Sequence, residues 1–272
     1  SRGKERETLL HVHEATRFPI ESPFLHYTLN APRHYRVICE IIRDHDIDVV
    51  VGAHVLAGTA MVRAAKKFDV PVVFDLKDWF PDSAAAYYTN PAVKRLLREG
   101  VLAITRYNLD HSDVITTVSP GLVRKLHNYG YEAELITNGV NTDLFRPMDG
   151  GTMRSTLGIS PDAFVLGFAG AVERWYALDD VIRAFAEIRK RHANAELLIV
   201  GGSLFTGYRD ELQALAARLG VAGRVHFTGA VDYRALPGYI APMDLCLIPL
   251  SPPHWVDIAL PNKYFEYSAC GR

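Results

Sequence analysis

A short segment near the end of the chain carries the residues best suited to bind a phosphorylated ligand. It reads LPNKYFEYSACG over 260–271. Pro261 suits the first turn of a helix, because its missing N–H would be unpaired there in any case. A helix start offers free N–H groups and a positive dipole end, so it can hold a phosphate, and Lys263 adds a cation. Glu266 lies three residues further along the same helix face, where it could accept hydrogen bonds from the vicinal hydroxyls of a ribose.

The same spacing has a simpler interpretation. A lysine and a glutamate three residues apart on a surface helix often form an exposed ion pair that contributes little to stability. Spacing alone leaves both interpretations of Lys263 and Glu266 open.

The segment resembles the donor-site signature of the retaining glycosyltransferases of family 4, which reads Pro-x-Lys-x-x-Glu-Tyr-x-Ala-x-Gly. That family has the two-lobed GT-B fold. Other pieces of the chain resemble the family in the same order: VSPGLVRKL at 118–126, ITNGVNTDLFRP at 136–147, GFAGAVERWYALDDVIRAF at 167–185, LLIVGGS at 197–203 and VHFTGAV at 225–231. The resemblance covers residues 47–271, and the shared order of the pieces makes it specific.

The resemblance implies roles for particular residues. Glu266 would bind the ribose hydroxyls of a nucleotide, and Lys263 would lie near its diphosphate. Gly170 would let the backbone approach the diphosphate, since any Cβ there would intrude. Gly201 and Gly202 would border the nucleobase. Pro261 and Asn262 would line the sugar-diphosphate site through their backbone.

The sequence departs from the family pattern at positions that would assist the donor contacts. Ala171 stands where many members carry arginine, and Tyr176 stands where many carry lysine. Ile258 stands eight positions before Glu266, where the family often has a second glutamate. Arg174 could supply a cation instead, so we count it among the donor-binding candidates, beside the alternative of an exposed loop arginine.

Two residues of the first half are candidates for catalytic contacts, together with Glu266. Asp78 follows the strand expected at 71–76, and His54 follows the strand expected at 48–52. Both would therefore lie at the carboxyl ends of parallel strands, where ligands bind in such sheets. The run DLKDWFPDS at 75–83 resembles the Asp-x-Trp-Pro segment of a family-4 subgroup. Capping or loop bracing would also explain Asp78, and a structural role would also explain His54. Aromatic residues of the same loop could stack on sugar rings, contact a lipid carrier or pack the loop: Trp79, Phe80, Tyr87 and Tyr88.

The elements that must position these residues alternate along the chain. Short β-branched runs alternate with helices of ten or more residues, which predicts βαβ units and parallel sheets. Strands are expected at 9–12, 48–52, 71–76, 114–118, 133–136, 164–168, 196–200, 225–228 and 245–249. The continuous apolar run at 48–52 fits a strand covered on both faces. Helices are expected at 32–44, 54–68, 91–111, 178–192, 208–219 and 233–241, and from residues 119 and 261, with a loop at 77–90.

The stretch 145–161 breaks this alternation and contains Arg-Pro and Asp-Gly-Gly. We therefore place a domain boundary near residue 150, with an acceptor-side lobe at 1–150 and a nucleotide-sugar-binding lobe at 151–272. The predicted fold class is α/β, with two facing Rossmann-like lobes of the GT-B type. Both termini are expected to be truncated, because the last helix has no following strand and the first half lacks a clear opening strand and glycine-rich turn.

Composition narrows the class of protein. Lys plus Arg count 30 and Asp plus Glu count 31, a balance that does not favour a nucleic-acid partner. Cys39, Cys246 and Cys270 form no CxxC pair, so reduced thiols and a cytoplasmic location are expected. Neither an apolar run of about 18 residues nor a signal peptide is visible. A peripheral contact with the inner face of the membrane stays compatible with this composition.

The expected function is transfer of a sugar from a UDP- or GDP-linked sugar to a glycan, a lipid-linked acceptor or a small molecule. As the resemblance implies, transfer would proceed with retention, without a metal or other cofactor and without a dedicated protein base. No DxD-type cluster or His/Cys metal spacing is evident. Two alternatives keep the fold: a non-catalytic nucleotide-sugar-binding subunit and a nucleotide-sugar epimerase. An NAD-dependent oxidoreductase is disfavoured, since no GxGxxG follows a strand.

Overall fold

A computed structural model describes residues 12–20, 23–86, 90–203, 207–250, 258 and 260–272. The chain divides into two compact units, the first ending at Ile136 and the second beginning at Thr137. The expected domain boundary near residue 150 lies inside the second unit. The assignment of the two lobes to acceptor and nucleotide sugar stays a prediction. Residues 9–11 of an expected strand, and Tyr87 and Tyr88, lie outside the described ranges.

The first unit is built on a sheet of four parallel strands in the order β1-β2-β3-β4. The strands are β1 (Val50–Gly52), β2 (Val72–Leu76), β3 (Val114–Thr117) and β4 (Glu134–Leu135). The helices are α1 (Pro23–Asp44), α2 (Val55–Lys67), α3 (Phe80–Ala86), α4 (Pro91–Asp110) and α5 (Pro120–Asn128).

Strand β2 is an interior strand of this sheet. Its alternate residues Val72, Phe74 and Leu76 are completely buried, as period-two packing against helices requires. Strand β1 differs from expectation, since it lies at the edge of the described sheet and Val51 is 63% exposed. The prediction of a strand covered on both faces is therefore wrong for β1. An apolar run does not reveal which strands will flank it.

The second unit contains a sheet of four parallel strands in the order β7-β6-β5-β8. The strands are β5 (Phe164–Ala169), β6 (Ala195–Val200), β7 (Val225–Phe227) and β8 (Leu245–Cys246). The helices are α6 (Gly151–Leu157), α7 (Leu178–Arg189), α8 (Tyr208–Arg218), α9 (Leu236–Ile240) and α10 (Asn262–Ala269), with a 3-10 turn at Ala222–Arg224.

Both faces of the second sheet are covered by apolar side chains. Leu197 and Ile199 of β6 pack into a cluster with α7 and α8, while Leu198 and Val200 pack into a cluster on the opposite face. Because successive side chains of a strand alternate between the faces, a continuous apolar run is needed here. The expectation of a Rossmann-like parallel sheet is confirmed for this unit.

Three helices differ most from expectation. Helix α1 begins at Pro23 and contains Pro32, which was expected to start it. The buried side-chain amide of Asn30 donates to the carbonyl of His26 at 2.8 Å and accepts the backbone N–H of Phe18 at 2.9 Å. The bond to Phe18 attaches the helix upstream of the proline to a residue outside it, a tertiary contact that proline rules do not include. Helix α3 lies within the loop expected at 77–90, and α6 lies within the stretch 145–161.

Across the described ranges, every helix falls short of the length and apolarity that a bilayer-spanning segment needs. The three cysteines are free thiols, as expected.

Candidate functional site

The carboxyl end of β5 and the start of α10 form the best-defined polar site of the second unit. Pro261 is the extended residue before α10, and none of the side chains that the structure describes caps the helix start. The side-chain amide of Asn138 donates to the carbonyl of Leu260 at 3.0 Å. Asn138 belongs to the ITNGV run, so a turn residue of that run holds the backbone just before the helix. The free N–H groups of the first turn of α10 are thereby presented at a fixed position.

Tyr267 fixes the other end of this arrangement. Its hydroxyl accepts the backbone N–H of Ala169 at 2.7 Å, and the residue is 3% exposed. Burial raises the pKa of the Tyr267 phenol above its ordinary value. Because Ala169 ends β5, this bond attaches α10 to the end of the strand that precedes Gly170.

Lys263 lies directly over that strand end. Its Nζ donates to the hydroxyl of Tyr176 at 2.8 Å. The ammonium lies 4.5 Å from the centroid of the Tyr176 ring and 5.4 Å from that of Phe168. A Cβ on Gly170 would collide with Cε and Nζ of Lys263. The predicted proximity of Lys263 and Gly170 is therefore present, and a cation stands against exposed backbone, an arrangement suited to an anionic ligand.

Gly170, Gly201 and Gly202 line one side of the site, which we call the glycine floor. Gly170 and Gly201 have φ of 155° and 137°, a region that disfavours side chains. The N–H of Gly170 donates to Val200 at 2.8 Å, and the N–H of Val172 donates to Gly202 at 3.0 Å. A Cβ on Gly201 would overlap the carbonyl oxygen of Gly170. These contacts join the ends of β5 and β6, so the glycines that the sequence assigned to one site do lie together.

Glu266 is buried and held by a residue that sequence reasoning missed. It is 9% exposed, and its Oε1 accepts a hydrogen bond from the Tyr233 hydroxyl at 3.1 Å. Desolvation and the neighbouring Glu266 carboxylate raise the pKa of Tyr233. Lys263 and Glu266 are both described, and the structure shows no ion pair between them. The simple interpretation of an exposed surface ion pair is thus wrong, and each residue has its own tyrosine partner.

Arg174 points into a different set of contacts. Its guanidinium pairs with Glu211 at 2.5 Å and lies 4.9 Å from the centroid of the Tyr208 ring. Both side chains of the ion pair are more than half exposed, so the pair itself contributes little. A role for Arg174 in donor binding stays a prediction and would require this pair to open.

Arg209 is a further cation near the glycines, and the sequence did not single it out. Its Nε is buried and has no hydrogen-bond partner within the described part of the chain. Its Nη1 lies 3.5 Å from the position that a Cβ on Gly229 would take, and Gly229 accepts the N–H of Gly201 at 3.0 Å. An arginine in the first turn of a surface helix is ordinary in sequence, so only the fold reveals that it lies beside the glycine floor.

In the first unit, Asp78 follows β2 as expected and keeps solvent-exposed surface. Desolvation of its carboxyl by surrounding protein atoms nevertheless raises its pKa. The next residue, Trp79, is 1% exposed, and the Lys125 ammonium lies 5.0 Å from the centroid of its ring. Trp79 therefore packs the loop and anchors the backbone next to Asp78. Of the roles that the sequence left open for Trp79, packing is the one observed.

His54 follows β1 and caps α2. Its Nδ1 accepts the backbone N–H of Ala57 at 3.3 Å, and its ring lies 4.2 Å from that of Tyr27, centroid to centroid. Desolvation lowers the pKa of the imidazole, which suits the neutral form that accepts this bond. The structure thus provides a structural role for His54, and its catalytic role stays a prediction.

Two family models match the chain. The model described as "Glycosyltransferase Family 4" matches residues 1–144, and the model described as "Glycosyl transferases group 1" matches residues 163–272. Among solved structures, the sucrose-phosphate synthase of Thermosynechococcus elongatus has a TM-score of 0.76 at 19% identity, covering 94% of this chain and 61% of that one. Anabaena HepE in complex with UDP-glucose has a TM-score of 0.70 at 20% identity, covering 89% and 62%. These likenesses concern the fold alone, and they agree with the predicted α/β fold class.

Curated relatives are similar over shorter stretches. D-inositol 3-phosphate glycosyltransferase 2 of Catenulispora acidiphila is 32% identical over 142 residues, covering 50% of this chain and 32% of the relative. The GDP-mannose-dependent alpha-(1-6)-phosphatidylinositol monomannoside mannosyltransferase of Mycolicibacterium smegmatis is 34% identical over 167 residues, covering 59% and 43%. The chain thus spans less than half the length of these relatives. Since one family model matches more than half of its residues, the chain belongs to Glycosyltransferase Family 4.

Proposed function

We propose that this protein is a glycosyltransferase that takes a sugar from a nucleoside-diphosphate sugar, with the second unit as its donor-binding lobe. One observation carries the proposal: Nζ of Lys263 lies over the side-chain-free backbone of Gly170, and buried Glu266 follows one turn along α10. This places a cation and a carboxylate on one helix face, suited to the diphosphate and the ribose of a single nucleotide.

The proposed chemistry breaks the bond between the anomeric carbon and the diphosphate oxygen and forms a bond from the same carbon to an acceptor oxygen, with retention. Negative charge grows on the departing nucleoside diphosphate. Lys263 and the N–H groups at the start of α10 would stabilise that charge as it develops. In this proposal the transfer needs no metal, and the departing phosphate accepts the acceptor proton. Asp78 and His54 would contact the acceptor or the transferred sugar.

The names of similar proteins suggest which substrates to try. One relative is named as GDP-mannose-dependent, and one structural neighbour was solved with UDP-glucose. We therefore propose a UDP- or GDP-linked donor. Relatives are named for D-inositol 3-phosphate and for a phosphatidylinositol monomannoside, so small phosphorylated and lipid-linked acceptors are the first to test. A lipid-linked acceptor would place the protein at the cytoplasmic face of the membrane.

The test is a panel of UDP- and GDP-sugars measured for binding, hydrolysis and transfer with the full-length protein. Glu266→Ala is compared with Glu187→Ala, which removes a 71% exposed carboxylate of α7 in the same unit. We expect one donor class to bind, with affinity reduced roughly tenfold or more in Glu266→Ala and unchanged in Glu187→Ala. The proposal fails if no sugar nucleotide or nucleoside diphosphate binds. Equal binding by wild type and Glu266→Ala would remove the assignment of the site.

A nucleotide-sugar-binding subunit without transferase activity is the second candidate. It is favoured by the neutral Ala171 and by the engagement of Arg174 with Glu211, which leave fewer cations to stabilise a leaving diphosphate. Tight donor binding without transfer to any acceptor in the panel would support this candidate over the first.

A further inference from the structure

Tyr176 is held in place on several sides. Its N–H donates to the carbonyl of Glu173 at 3.0 Å, and its carbonyl accepts the N–H of Leu178 at 2.8 Å. It pairs with Leu250 in an antiparallel bridge. Its ring packs edge-on against Phe168, with 5.0 Å between the ring centroids. The position of its hydroxyl is therefore set by the fold before any ligand binds.

The hydroxyl of Tyr176 has an unused donor. It accepts one hydrogen bond from Nζ of Lys263 at 2.8 Å, and a phenol that accepts can still donate its own proton. Within the described ranges, the structure records no acceptor for that proton. The Lys263 ammonium likewise has three N–H donors, of which this bond uses one.

An anion that binds Lys263 comes within reach of both groups. Because Nζ and the Tyr176 oxygen are 2.8 Å apart, a phosphate oxygen placed at hydrogen-bond distance from one atom can also be reached from the other. Phosphate oxygens accept such charge-assisted bonds strongly. The two aromatic faces beneath Nζ restrict where the ammonium can move, since a cation is attracted to the ring faces.

We propose that Tyr176 is a ligand-positioning residue of the donor site, whose hydroxyl orients Lys263 and donates to a phosphate oxygen of the nucleoside diphosphate. This inference rests on the proposed function. It assigns a task to a position where the sequence departs from the usual lysine of the family. The hydroxyl supplies a directed hydrogen bond without a second positive charge beside Lys263, so the two groups attract rather than repel each other.

Tyr176→Phe tests this assignment in the full-length protein, because it removes the hydroxyl and keeps the ring that packs on Phe168. UDP and GDP are titrated by calorimetry, and the nucleoside of the tighter ligand is titrated by NMR. We expect Tyr176→Phe to weaken the nucleoside diphosphate roughly tenfold and the nucleoside less than about twofold. Tyr239→Phe, at a half-buried tyrosine of α9, is the matched control and should leave both affinities and the melting temperature unchanged.

Lys263→Ala separates this inference from the function on which it rests. If Lys263→Ala loses the nucleoside diphosphate while Tyr176→Phe binds it like wild type, the role of Tyr176 is wrong and the donor site stands. If Tyr176→Phe weakens the nucleoside as much as the diphosphate, its role is structural and the inference is again wrong. If the wild type binds neither UDP nor GDP, the proposed function fails and the inference falls with it.

Discussion

The Tyr233 hydroxyl donates to Oε1 of Glu266 at 3.1 Å, although the two residues are 33 positions apart in the chain. This bond leaves further lone pairs of the carboxylate available to a ligand. It also fixes the direction in which the carboxylate faces, which matters if Glu266 accepts hydrogen bonds from a ribose.

The Glu266 carboxylate should make the site sensitive to ribose hydroxyls. We predict that the wild type binds a ribonucleoside diphosphate more tightly than its 2′-deoxy analogue by roughly tenfold or more, which corresponds to one hydrogen bond to a charged group. Glu266→Ala should abolish this preference, and Tyr233→Phe should reduce it. Titration of both ligands into the three proteins measures the effect. A preference that persists in Glu266→Ala would place the ribose elsewhere.

Loss of the Tyr267 hydroxyl should weaken the attachment of α10. Tyr267→Phe leaves the buried N–H of Ala169 without this partner, which should lower the free energy of unfolding by about 1–3 kcal/mol. Urea unfolding of the full-length protein measures the change. Tyr239→Phe serves as the control and should lie within about 0.5 kcal/mol of wild type. Equal stability of Tyr267→Phe and wild type would show that packing alone holds the helix.

A methyl group at Gly170 should damage both stability and ligand binding. Gly170→Ala places a Cβ against the Lys263 side chain at a backbone φ of 155°, so we expect a loss of about 1 kcal/mol or more in unfolding free energy. Nucleoside-diphosphate affinity should fall with it, because Lys263 must move. Gly223→Ala is the control, since its added Cβ would meet nothing within 4 Å. Unchanged nucleoside-diphosphate affinity in Gly170→Ala would show that Lys263 does not contact the ligand.

His54 should make stability depend on pH. Desolvation lowers the pKa of His54 in the folded state, so the unfolded chain takes up its proton first as the pH falls. The contribution is complete above the ordinary histidine pKa of about 6.5 and is lost as the pH drops below it. His54→Asn keeps a side chain that can cap α2 and should remove this part of the pH dependence.

Unfolding free energies of wild type and His54→Asn between about pH 5 and 8 measure this contribution, since that window brackets the ordinary histidine pKa. Parallel pH profiles for the two proteins would contradict the prediction. A transferase assay on the same variant addresses the other role: an activity loss greater than about a hundredfold in stable protein, a typical size for general acid–base catalysis, would assign His54 a catalytic contact.

Much of the fold could be predicted because strand and helix periods are local properties of the sequence. The strands β2, β5 and β6 and the helix beginning near Pro261 lie close to their expected positions. The exposed side chain of Val51 at the sheet edge could not be predicted in the same way. An apolar run has the same pattern whether or not other parts of the chain cover it. Pro32 misled the boundary of α1 for a related reason, since distant contacts of Asn30 stabilise the helix around it.

The sequence singled out Lys263 and Gly170, which the structure brings together, but it did not reveal their partners. Lys263 and Gly170 carry local signals, namely a helix start and a glycine at the end of a strand. The partners of α10 and of the segment before it lie far away in sequence: Tyr176 is 87 positions from Lys263, and Asn138 is 122 positions from Leu260. Tertiary packing brings such pairs together, and a single sequence contains no local signal that a given tyrosine or asparagine makes such a contact.

The central claim concerns where the nucleotide binds, so a crystal structure of the full-length protein with UDP or GDP bound tests it most directly. We predict a phosphate oxygen within hydrogen-bond distance of Lys263 Nζ, above Gly170, and a ribose hydroxyl on the Glu266 carboxylate. A nucleotide whose phosphates lie away from α10, with Lys263 still bound only to Tyr176, would contradict the account.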